Sequence, residues 1–123
     1  MKRKILVVDD SSIIRKSVMQ SLIDFDYEIL EAPNGEKGLE LAKDNPDLSL
    51  IISDINMPEM NGIEMIEAIG VDQQTSSIPV MVLSSEGGSE LIAKAKTLDV
   101  KGWLVKPFNS AQLQEIVKKL LGE

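Results

Sequence analysis

Ile5-Leu6-Val7-Val8 is apolar at four consecutive positions, rich in β-branched residues, and stops at the acidic pair Asp9-Asp10. A strand with one wet face alternates apolar and polar residues, whereas a strand apolar throughout must be covered on both faces. The same design recurs at residues 50–53, which end at Asp54. It recurs again at residues 79–83, ending at Ser84-Ser85, and at residues 103–105, ending at Lys106-Pro107. Residues 27–32 form a further strand with more alternation. Strands buried on both faces belong to parallel sheets, and parallel strands need crossover helices between them.

Those helices are legible in the spacing. Ile14, Val18, Leu22 and Phe25 recur on one helical face, and Leu39 and Ala42 mark a second helix that ends near Asn45-Pro46. Ile63, Ile66 and Ile69 mark a third, Leu91, Ala95 and Leu98 a fourth. Leu113, Ile116, Val117, Leu120 and Leu121 mark the last. Ser11 or Ser12 caps the first helix and Asn109 or Ser110 the last. Turns fall at Pro33-Asn34-Gly35, at Pro58 and at Asn61-Gly62. Five strands alternating with five helices predict an α/β fold: a doubly wound five-stranded parallel sheet with helices on both faces. At 123 residues, with no repeat and no linker, it is expected to be one domain over residues 1–123.

Composition excludes several kinds of chemistry. The 13 basic and 20 acidic side chains leave a formal charge of −7, which opposes a phosphate backbone, so no nucleic-acid role is expected. With no cysteine there is no disulfide or thiol catalysis, and with no histidine there is no Ser-His-Asp triad or His-ligated zinc. A metal here must be held by oxygen, which favours magnesium, calcium or manganese. The apolar run at the start is cut short by Asp9-Asp10, too early for a signal peptide, and no stretch approaches membrane-spanning length. A soluble cytoplasmic protein without a membrane segment is expected.

In open α/β sheets the site lies outside the carboxyl ends of the strands. That rule gathers Asp9, Asp10, Asp54, Ser84 and Lys106 at one edge. Three converging carboxylates repel one another unless a hard divalent cation relieves them, and magnesium commonly takes one or two carboxylates together with a phosphate oxygen. Lys106 adds a positive point charge suited to a phosphoryl oxygen, and Ser84 adds a hydroxyl donor. The set is one for phosphoryl transfer, with a carboxylate as the oxygen nucleophile. Singly, each residue has a blander reading. Asp9-Asp10 could be a charge pair at a helix N-terminus, Ser84 a helix cap, and Lys106 a solvated strand end. Asp54 resists such a reading, because Ile55-Asn56-Met57-Pro58 does not open a helix. The joint occurrence at successive strand ends favours a site.

Val-Val-Asp9-Asp10, Asp54-Ile-Asn-Met-Pro-Glu-Met-Asn-Gly62, Leu-Ser84-Ser85 and Lys106-Pro107-Phe108 together resemble the receiver domain of two-component response regulators, over the whole chain. Gly102-Trp103-Leu-Val-Lys-Pro-Phe108, with Asn56 and Glu86 beside the site, is most similar to the stand-alone chemotaxis regulators of that family. The resemblance implies that Asp54 accepts a phosphoryl group from a sensor histidine kinase. It implies Mg2+ held directly by Asp10 and Asp54, through water by Asp9, and by the backbone carbonyl of Asn56. Lys106, joined to Pro107 by a cis bond, and Ser84 would bind phosphoryl oxygens. Movement of Ser84 with Trp103 would remodel the partner-binding face, while Asn56 and Glu86 would set the phosphate's lifetime.

The implied protein is a monomeric switch and not an enzyme, beyond its own phosphotransfer and autodephosphorylation. A flagellar motor switch protein and a phosphatase are the partners it implies, and no output domain is expected after Leu121. A phosphorelay intermediate or phosphate sink is the alternative within the family. A magnesium-dependent phosphohydrolase would need an acid where Asn56 stands, and a flavodoxin-like cofactor binder would need a glycine-rich loop after Val8. This chain departs from the family pattern in having Ser84 for threonine, Trp103 for tyrosine or phenylalanine, and Asp99 where glycine is usual.

Overall fold

The apolar runs form five strands, β1 (Arg3–Val8), β2 (Tyr27–Ala32), β3 (Leu50–Asp54), β4 (Val80–Ser84) and β5 (Gly102–Val105). The structure, a computed structural model, describes residues 3–55, 62–84, 93, 97–98 and 100–122. All neighbouring strands pair in parallel, in the order β2-β1-β3-β4-β5. β1 runs two residues earlier than its apolar stretch, because Arg3 and Lys4 continue the ladder opposite Tyr27 and Glu28. β4 begins at Val80 and not Pro79. Proline has no N–H to donate, and only its carbonyl joins the sheet, accepting from Ile51 N at 3.0 Å.

Four helices are described: α1 (Ser12–Ser21), α2 (Gly35–Asp44), α3 (Gly62–Val71) and α4 (Ser110–Leu120). Their starts follow the capping residues. Ser11 Oγ accepts from Ile14 N, Asn34 Oδ1 from Lys37 N, and Asn109 forms a reciprocal box with Gln112. α1 stops before Phe25. Ser21 Oγ turns back to the Ser17 carbonyl and pairs with Ser110 Oγ, and the chain leaves through a tight turn at Leu22. The expected fourth helix lies outside the described residues, except that Leu98 packs inward as its spacing requires. The turn through Pro58 and Asn61, the side chain of Ile63, and Ser85 and Asp99 also lie outside them.

Alternate strand residues point to opposite faces, so the sheet splits the core in two. Leu6, Val8, Ile51 and Val82 face the layer built by Ala42 of α2 and by Met65, Ile66 and Ile69 of α3. Ile5, Val7, Ile52, Met81 and Leu83 face Val18 of α1 and Leu113 and Val117 of α4. Each such Val, Leu, Ile or Met side chain, taken fully out of water, stabilises the fold by about 1.5–3 kcal/mol before conformational entropy is set against it. The sheet is therefore rigid beneath its carboxyl edge, which is where the polar residues collect.

Candidate functional site

β1 leads on to β2 on one side of the sheet, while β3 lies on the other, so β1 and β3 flank the point where the winding reverses. Asp9 directly follows β1 and Asp54 ends β3. Their carboxylates, with that of Asp10, bring one oxygen each within 4.8 Å of one another. Asp9 and Asp54 are buried and Asp10 is exposed. Lys106, directly after β5, reaches across the edge. Its Nζ lies 2.9 Å from Asp9 Oδ2 and 3.3 Å from Asp54 Oδ2, with only 16% of the side chain exposed.

Burial alone would pull the Lys106 ammonium down. The hydrogen bond to Asp9 and the charges of Asp54 and Asp9 outweigh it, and its pKa lies above the ordinary lysine value. It is therefore charged throughout the physiological range. Both Asp9 carboxylate oxygens are engaged, Oδ1 by Ser11 N–H at 2.9 Å and Oδ2 by Lys106. The Asp9 backbone is held as well, its N–H donating to the Ala32 carbonyl and its carbonyl accepting from Arg15 Nη1 at 2.7 Å.

Ser84 is buried at the end of β4, in register with Val105, and its carbonyl accepts from Lys106 N at 2.6 Å. The Lys106-Pro107 bond is cis, as expected. Trp103 pairs with Val82, is half-buried, and packs against the core face shared with α2 and α3. Asn56 and Glu86 lie outside the described residues.

The structure thus brings together Asp9, Asp10, Asp54 and Lys106 and sets Ser84 on the adjoining strand end. Sequence reasoning took Ser11 only as a helix cap and missed Arg15. A helical side chain leans towards the helix N-terminus, so a long cation one turn into α1 is aimed back at the end of β1, and that signal was available. A cavity of about 580 Å3 opens at the opposite edge of the sheet, between the end of α3 and the start of β4, and no candidate residue lines it.

The donor set, three carboxylates without nitrogen or sulfur, suits a hard divalent cation and could hold one. A parallel sheet in this order, carrying such a cluster and a lysine at its carboxyl edge, defines a flavodoxin-like α/β domain with an acidic cation pocket. The chain belongs to the response regulator receiver domain family, whose model matches residues 5–118. Domains of this kind are phosphoacceptors.

The chain is 37% identical over 120 residues to the chemotaxis protein CheY1 of Helicobacter pylori, covering 97% of each chain. It is 36% identical over 118 residues to the chemotaxis protein CheY-3 of Vibrio cholerae, covering 95% of this chain and 90% of that one. The crystal structure of Vibrio cholerae CheY4 superposes with a TM-score of 0.89 at 36% identity, covering 98% of this chain and all of that one. Among the described residues, no helix is long and apolar enough to cross a membrane.

Proposed function

We propose that residues 1–123 act as a single-domain response regulator in which Asp54 is the phosphoacceptor. The observation that carries this is the Asp54 carboxylate, buried at the end of β3 with the Lys106 ammonium 3.3 Å away and two further carboxylates beside it. An Asp54 oxygen attacks the phosphorus of a phosphohistidine on a sensor kinase. The O–P bond forms, the N–P bond breaks, and the imidazole leaves with the electron pair. Hydrolysis reverses the gain: water attacks phosphorus, the aspartyl O–P bond breaks, and Asp54 returns as a carboxylate with inorganic phosphate released.

Asp10 and Asp54 would hold Mg2+ directly and Asp9 through water, and the ion would neutralise phosphoryl oxygens when bound. What supports this division is that both Asp9 oxygens already accept hydrogen bonds from the protein, whereas Asp10 is exposed. Asn56 would add its backbone carbonyl and, with Glu86, tune the lifetime. Lys106 is released from Asp54 as the phosphoryl group arrives and pairs with its oxygen. Ser84 donates its hydroxyl to another.

The new dianion rewards the conformer that satisfies it, and repacking of Trp103 carries that change to a partner surface. The similarity to chemotaxis proteins supports a chemotaxis role in the cytoplasm, as a monomer. The partners would be a sensor histidine kinase, a flagellar motor switch protein and a phosphatase.

Incubation with Mg2+ and a small acyl phosphate tests the reading. Wild type should gain one phosphoryl group by mass and change its Trp103 fluorescence, and Asp54→Ala should do neither. Equal labelling of Asp54→Ala rejects Asp54 as the acceptor.

A further inference from the structure

Arg15 is a long cation on α1 that the phosphoryl chemistry does not use, yet its side chain is only 17% exposed. Its two anchors explain that. Nη1 donates to the Asp9 carbonyl at 2.7 Å, and Nε donates to Glu31 Oε1 at 3.0 Å, forming an ion pair with β2. Glu31 pairs in register with Val7, and the Asp9 N–H bonds the Ala32 carbonyl. The guanidinium therefore ties the first turn of α1 to the ends of both β1 and β2, at the peptide joining Asp9 to Asp10.

We infer that Arg15 is a positioning residue for the acidic cluster. By holding the Asp9 carbonyl it fixes the backbone from which both the Asp9 and Asp10 carboxylates project, and so sets their approach to a divalent cation. This rests on the reading of Asp9, Asp10 and Asp54 as a cation site. The planar guanidinium serves two acceptors in divergent directions through separate nitrogens, which a single ammonium matches less well. Partners that orient metal-binding groups change metal affinity about 10–100-fold when removed, and a backbone contact belongs at the low end of that range.

The sign of the effect separates positioning from charge. Removing a nearby cation without loss of geometry would tighten binding of Mg2+, because one repulsion disappears. Positioning demands weaker binding. Calorimetric titration with MgCl2 of wild type, Arg15→Met and Arg15→Lys, each shown to be folded by circular dichroism, makes the distinction. Arg15→Met should bind about tenfold more weakly. Arg15→Lys, which keeps the charge and a single donor nitrogen, should fall between it and wild type.

Arg15→Met that binds as tightly as wild type, or tighter, overturns the inference even if its melting temperature drops, since a merely structural role lowers stability without touching the affinity of the folded protein. If Arg15→Met does not fold, Arg15→Lys decides. Weaker binding supports positioning, and affinity equal to wild type overturns it. Wild type that takes up no Mg2+ overturns the cation-site reading, and the inference with it.

Discussion

Replacing Asp10 by asparagine should stabilise this protein when no metal is present and handicap it when metal is. The Asp10 carboxylate has an oxygen within 4.8 Å of oxygens on both Asp9 and Asp54, and Lys106 is committed to those two. At that separation each like-charge pair costs about 0.9 kcal/mol in water and about 3.5 kcal/mol at an effective dielectric of 20. Asp10 is exposed and Lys106 offsets part of the repulsion, so the low end applies. Asp10→Asn in chelator should gain about 1 kcal/mol, which raises the melting temperature of a chain this size by about 4 °C.

Mg2+ at about a hundredfold excess over its dissociation constant adds about 2.7 kcal/mol to wild type. The variant, short of one charged ligand, gains much less, and the order of the two proteins reverses. Thermal unfolding followed by far-ultraviolet circular dichroism, with and without Mg2+, reads both signs. A variant less stable than wild type in chelator, or an equal gain from Mg2+ in both proteins, refutes the reasoning.

Two further outcomes concern the scaffold. A Cβ added at Gly38 of α2 would meet Met65 Sδ at 2.7 Å and Val8 Cγ2 at 2.9 Å. Met65 can swing away, but Val8 is fully buried in β1 and stiff, so overpacking of about 1–3 kcal/mol outweighs a helix-propensity gain of about 1 kcal/mol. Gly38→Ala should therefore lose about 1 kcal/mol in urea unfolding, and a neutral or stabilised variant would show that α2 can shift. Asp47 is exposed, and the hydrogen bond from Lys4 holds its carboxyl below the ordinary value. Its contribution is complete above the unfolded pKa of about 3.9 and is lost as pH falls through the folded one. The melting-temperature difference between wild type and Asp47→Asn should thus be positive near neutrality and vanish in acid, and a difference independent of pH excludes the pair as its source.

Much of this architecture depends on neighbours in sequence, which is why it could be read there. Four-residue apolar runs announce strands buried on both faces. Helical spacing announces Val18, Ile66, Leu113 and Val117 as inward-facing, and Ser11 and Asn109 sit where a backbone N–H needs an acceptor. The rule that sites gather at the carboxyl ends of parallel strands then brought Asp9, Asp10, Asp54 and Lys106 to one edge. The structure puts Lys106 in ion-pair reach of Asp9 and Asp54 there, with one Asp10 oxygen within 4.8 Å of theirs.

Tertiary packing decided the rest. Strand order and register set Asp54 beside Leu83 and Ser84 beside Val105, pairings no local pattern encodes, because residues far apart in the chain meet only when both faces of the sheet are covered. The same packing turned Trp103 onto the α2 and α3 face, where spacing alone left its side undetermined. It also made Gly38 a point of close approach and Arg15 a strut between α1 and two strands. Asp9, Asp10, Asp54 and Lys106 were visible one by one as charges at strand ends. That Asp9 is buried with both oxygens satisfied while Asp10 stays open to solvent is a property of the folded edge, where desolvation is tolerated only by a carboxylate whose donors surround it.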